Sequence, residues 1–147
     1  MKKIILSLVI LSLFTFSCER DDGITYTTPD YISGKWVFDK VGTINPQPVY
    51  SVIYQDYQND ANCIKDNFLL NADGTFSIND YTPSGSTCVN NARTGSYTLV
   101  NKDVTLSYTV NNLVVLKTYT ITALTYTELT IASDENGVTT FYKLIRE

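Results

Sequence analysis

Val104-Thr105-Leu106-Ser107-Tyr108-Thr109-Val110 alternates large apolar side chains with hydroxyl side chains at every step. Successive side chains of an extended strand point to opposite faces, so Val104, Leu106, Tyr108 and Val110 share one side and the hydroxyls the other. A helix would scatter the same residues around its circumference. One face is therefore buried and the other meets water, which is the pattern of antiparallel sheet.

The same period of two recurs on both sides of this stretch. Residues 35–41, 64–70, 75–80, 95–100, 114–123, 127–132 and 138–145 read as further strands. Asp73-Gly74, Asn101-Lys102-Asp103 and Asn111-Asn112 supply the residue types that tolerate positive φ in tight hairpins. Together these make about eight strands in sequence-adjacent order, the number at which a sheet closes on itself. The expected fold is all-β: an eight-stranded antiparallel up-and-down barrel.

Three connections break the alternation. Residues 42–48 hold Pro46 and Pro48, which cannot donate to a ladder, and read as a loop. Within residues 49–60, Tyr50, Ile53, Tyr54 and Tyr57 fall at helical spacing while Tyr50, Val52 and Tyr54 fall at strand spacing, so periodicity leaves both open. The expectation there is a short helix or irregular lid over one barrel end. Residues 81–91 form a long connection rich in Pro, Ser, Gly and Asn.

The N-terminal part carries an address. Lys2 and Lys3 precede an apolar run, residues 4–16, that is too short for a permanent membrane span and reads as a signal peptide over residues 1–17. Phe14-Thr15-Phe16-Ser17-Cys18 resembles a bacterial lipobox, which implies that Cys18 becomes a lipidated N-terminus. The following Glu19-Arg20-Asp21-Asp22 resembles an acidic tag for export to the cell surface, and is equally what a flexible tether over residues 18–31 would use. Several acyl chains at ~0.8 kcal/mol per buried methylene hold a protein stably. The expected location is the outer membrane of a bacterial envelope, with the membrane reached through the anchor alone.

Loss of Lys2 and Lys3 reduces the 11 basic residues by two against 15 acidic ones, taking the net charge from −4 to −6. With no basic stripe, the chain is not built for nucleic acid. Cys63 and Cys88 are an even pair in an exported protein, so a disulfide worth roughly 3 kcal/mol is their expected use. The chain has no His, which removes the commonest zinc and copper donor along with Ser-His and Cys-His nucleophile pairs. No metal or cofactor is expected, and no catalytic residue. Asp56 with Asp60 and Glu128 with Asp134 are carboxylate spacings that solvated loops produce constantly. Asn71, Asp73 and Asp80 do not follow calcium-loop order, and Asp73-Gly74 is better read as a turn.

Gly34-Lys35-Trp36 at the start of the first strand resembles the Gly-x-Trp signature of lipocalin and wider calycin barrels, with Arg146 after the last strand where those families pack an Arg over the Trp. The chain is similar to bacterial lipocalin-like lipoproteins, whose Cys, Asp-Gly-Thr turn and second Cys correspond to Cys63, Asp73-Gly74-Thr75 and Cys88, with Gly95-Ser96-Tyr97 following. The resemblance covers residues 32–147. It implies that Gly34, Trp36 and Arg146 mark the fold and that a small apolar or amphipathic molecule is the ligand. Wall candidates are Phe68, Phe76, Tyr97, Tyr108, Tyr119 and Phe141, with Tyr50 and Tyr54 from the lid; each also serves as ordinary core. The expectation is a monomeric, non-catalytic binding protein. Its alternative is a packed barrel whose loop 81–91 meets a protein partner.

Overall fold

The computed structural model describes residues 29–45, 51–60 and 62–147. The signal peptide, Cys18, the leader to residue 28 and Tyr50 lie outside the described residues. In chain order the elements are a short helix α1 (Pro29–Ile32) and the strands β1 (Gly34–Asn45), β2 (Ser51–Asp56), β3 (Asn67–Leu70), β4 (Thr75–Asn79), β5 (Tyr81–Ser84), β6 (Thr87–Asn90), β7 (Arg93–Val100), β8 (Asp103–Val110), β9 (Leu113–Leu124), β10 (Glu128–Glu135) and β11 (Val138–Arg146).

Eight of these strands close a barrel in the order β1-β3-β4-β7-β8-β9-β10-β11, with β11 returning to β1. The expected all-β barrel is the observed one. Turn chemistry explains the hairpins: Asn101, Asn111, Asn112 and Asn136 all adopt positive φ, as does Gly137. Asp73 accepts bonds from the Thr75 amide (2.9 Å) and hydroxyl (2.6 Å), so its side chain closes the turn, as the hairpin reading expects.

Two of the expected connections are strands instead. Residues 51–56 are neither helix nor lid but β2, which pairs with residues 40–45 of β1. Gly42 decides it: the Val52 and Tyr54 side chains occupy the space a Cβ there would fill, at 2.7 and 2.8 Å. A bare glycine strip on β1 thus accepts a neighbouring strand's side chains, and β1 runs past its expected end to Asn45. Residues 81–91 contain the β5–β6 hairpin, turning at Gly85 with φ of 65°, and the Cys63–Cys88 disulfide ties it back to the segment before β3.

The interior is filled. Trp36, Phe68, Leu70, Leu106, Ile121, Leu129, Ile131 and Leu144 are all at most 1% exposed, and Phe76 and Tyr97 pack with them. Inward residues across the ladder pair with one another, as Tyr97 does with Leu106. Gly95, opposite both Phe76 and Tyr108, has no side chain because the Ser107 carbonyl lies 2.1 Å from where its Cβ would be. The Phe76 and Tyr108 rings meet edge to face there at 6.1 Å.

Candidate functional site

The two barrel ends differ in chemistry. At the end where the chain enters, Ile32 of α1 is fully buried and its carbonyl accepts a bond from the Trp36 indole at 2.8 Å. Arg146 stacks on Trp36 with its guanidinium carbon 4.1 Å from the ring centroid. Its nitrogens donate to the carbonyls of Tyr126 (2.7 Å), Ser33 (2.6 Å) and Tyr31 (3.2 Å). Gly34 takes φ of 135°, and a Cβ there would come 2.8 Å from the guanidinium. Gly34, Trp36 and Arg146 therefore form one plug, and outside it Arg146 borders an opening of ≈ 290 Å³ with Tyr31, Thr125 and Tyr126.

The opposite end is open because β1 changes partner midway. Residues 34–37 pair with β3 and residues 40–45 with β2, with a bulge between Phe38 and Lys40 in the ladder to β11. The segment between β2 and β3 bridges the switch: the Tyr57 amide donates to the Asp39 carbonyl (2.8 Å) and the Phe38 amide to the Asp66 carbonyl (3.1 Å). Asp66, only 7% exposed, is the clamp of this seam. One carboxylate oxygen accepts the Tyr81 amide at 2.7 Å and the other the Tyr57 hydroxyl at 3.2 Å, while its own amide donates to Asn59 at 2.8 Å.

Behind the seam lies a cavity of ≈ 200 Å³, bounded among the described residues by aromatic rings and charges. Phe38 stacks on Tyr57 at 4.9 Å and meets Tyr142 edge-on at 5.7 Å, and Tyr119 completes the aromatic wall. Asp66 and Asp80 lie on the β3–β4 side, Arg93 and Lys117 on the β7–β9 side. Arg93 sits 3.6 Å from Asp80, too long for a hydrogen bond. Lys117 is bound to Glu135 at 2.5 Å and sits 5.1 Å over the Tyr119 ring.

Burial, then the charge of Asp66 beside it, pushes the Asp80 carboxyl above the ordinary aspartate value, with Arg93 opposing. Burial pushes Tyr119 up against the influence of Lys117, and burial followed by Asp66 pushes Tyr57 well above the ordinary tyrosine value. Lys117 stays above the ordinary lysine value: burial works against its charge, but Glu135 and Tyr119 outweigh it. A carboxyl raised by folding favours the fold when protonated, and that contribution disappears as pH rises through the raised value. Asp80→Asn is expected to raise the melting temperature at pH 7 and to leave it unchanged at pH 3, where both states are protonated. Thermal scans at the two pH values check this; an equal shift at both would point to packing instead.

Of the residues proposed as ligand walls, Tyr119 alone borders this cavity. Phe68, Phe76 and Tyr97 are buried in the packed core, and the Tyr97 hydroxyl donates to the Asn71 carbonyl at 2.8 Å. Tyr108 borders a shallower opening of ≈ 460 Å³ beside Lys117. Tyr54 covers Gly42 with Lys143 4.8 Å over its ring, on the outer face. Phe141 pairs with that same Gly42, so it too faces outward, next to the inward Tyr142. Asp66 and Asp80 converge on this cavity, while Asp56 and Asp60 border a neighbouring opening of ≈ 530 Å³ together with Asp39. Asp56 is held by Lys40 at 2.9 Å, Glu128 sits 3.8 Å from Lys143, and Asp134 accepts from Thr139. Among the described residues no three His, Cys, Asp or Glu gather as a metal cage.

Comparison with known proteins agrees with this architecture. The family model described as lipocalin-like domain matches residues 32–131. No curated protein matches the chain. Among solved structures, an uncharacterized protein from Bacteroides eggerthii DSM 20697 superposes with a TM-score of 0.50 at 14% identity, covering 78% of this chain and 98% of that one. A complex of bovine odorant binding protein with undecanal gives a TM-score of 0.42 at 16% identity, covering 78% of this chain and 70% of that one.

Proposed function

The chain belongs to the lipocalin-like domain family, and from that premise we propose that it is a lipid-anchored envelope protein whose barrel holds a small amphipathic molecule in its mouth without transforming it. The observation that carries this reading is the ≈ 200 Å³ cavity at the open end of an otherwise filled barrel. That volume is the share of roughly seven waters at ~30 Å³ each, well below the ~300–1,000 Å³ of sites for larger ligands. A long acyl chain exceeds that volume. A compact molecule with an apolar body and polar ends matches the mix of rings and charges.

Binding fits better than catalysis. Asp66 already spends both carboxylate oxygens on Tyr81 and Tyr57, which gives it a structural task at the seam. Native mass spectrometry of the protein purified from its own host is the test: a stoichiometric small adduct supports the reading, and its repeated absence favours a packed interaction module. The feature favouring that second reading is the exposed β5–β6 hairpin, held in place by the Cys63–Cys88 disulfide.

Cys18 is the anchor in this proposal, as a lipidated N-terminus at the outer membrane, and the barrel acts as a monomer. Cys18→Ala is expected to move the protein to the soluble fraction and abolish labelling by a fatty-acid analogue. Labelling that survives the substitution removes the anchor. Asp21→Ala with Asp22→Ala tests surface export by protease accessibility on intact cells.

A further inference from the structure

We propose that the mouth cavity recognises a small zwitterion, a molecule carrying both an ammonium and a carboxylate on a compact apolar body, of which an apolar α-amino acid is the simplest case. This deepens the binding reading above and rests on it. Charges of both signs border the cavity: Asp66 and Asp80 beside β3 and β4, Arg93 next to Asp80 on the adjoining β7, and Lys117 on β9. A cavity bordered by both signs matches a dipolar guest better than a cation or an anion, since either alone would meet a repelling group as well as an attracting one.

The charged groups are differently committed. Asp66 is spent on the seam, whereas Asp80 and Arg93 form a looser ion pair at 3.6 Å, beyond hydrogen-bond length, which a dipolar guest can share. Lys117 keeps Glu135 as its outer partner at 2.5 Å and turns toward the cavity along the Tyr119 ring. Lys117 pairs across the ladder with Leu106, a core residue, which fixes its side chain on the inward face. Beside these charges, Phe38, Tyr57 and Tyr142 offer ring faces to an apolar body and, near the acids, to an ammonium.

Titration calorimetry on the folded full domain with L-phenylalanine, phenethylamine, 3-phenylpropionate and decanoate separates the alternatives. L-phenylalanine is expected to bind at least about tenfold more tightly than either half-molecule, the scale of one hydrogen bond to a charged group. Asp80→Asn is expected to weaken L-phenylalanine and phenethylamine about tenfold while sparing 3-phenylpropionate, and Lys117→Gln to weaken L-phenylalanine and 3-phenylpropionate while sparing phenethylamine. Circular dichroism establishes that both variants fold. Equal affinities for the three aromatic probes, or decanoate binding best, overturns the zwitterion while leaving a binding barrel. If none of the four binds and host-purified protein carries no adduct, both proposals fall together.

Discussion

Trp36→Ala is expected to lower the unfolding free energy by about 3–5 kcal/mol, the usual cost of emptying a buried tryptophan site. Trp36 is fully buried beneath Arg146, and four elements meet on it: α1 through the indole bond to Ile32, β1 itself, β3 through Phe68, and β11 through Arg146. Alanine leaves a cavity that these elements cannot collapse into, because Arg146 is pinned by three carbonyls. At roughly 4 °C per kcal/mol for a domain of this size, the melting temperature falls by about 12–20 °C. Urea unfolding should show a lower midpoint with an unchanged slope. A loss under about 1 kcal/mol would mean that the plug is not structural. Arg146→Lys with Trp36 intact should also lower stability, since an ammonium lacks the planar fork that serves three acceptors and the stacked face.

Asp66→Ala ranks second, at about 3–4 kcal/mol, because it removes a charged acceptor that serves two donors. The Tyr81 amide and the Tyr57 hydroxyl lose their partner at once, and the Phe38–Tyr57 stack loses its brace. Asp66→Asn should recover part of the loss, as its amide oxygen still accepts the Tyr81 amide. Denaturation of both variants measures the difference, and amide exchange at Tyr81 locates it. Equal stability of the Ala and Asn variants would show that the seam is held by backbone contacts alone.

The strands that line the core were legible because each carries its own alternation: Leu106 between Ser and Thr neighbours declares its face without reference to any other residue. β2 was not legible in the same way. Its helical and strand spacings are equally good, and the tie is broken by Gly42 on a different strand. The parity of β11 was legible but unused: Arg146 over Trp36 puts Leu144 and Tyr142 on the inward face, which excludes Phe141 and selects Tyr142. The acids of the cavity had no local signal. Asp66 and Asp80 stand just outside β3 and β4, where no period governs direction, and only ring closure brings them to one mouth.

The described chain enters the barrel at the plugged end, with α1 against Trp36, while the cavity opens at the far pole. The segment that precedes α1 therefore joins the barrel at the pole opposite the cavity. Under the anchoring proposed for Cys18, attachment at that pole leaves the mouth free to trade a guest with the surrounding medium. The polar character of the cavity suits that traffic: in the proposed reading it takes solutes dissolved in water, and the lipid would serve only to keep the protein in place.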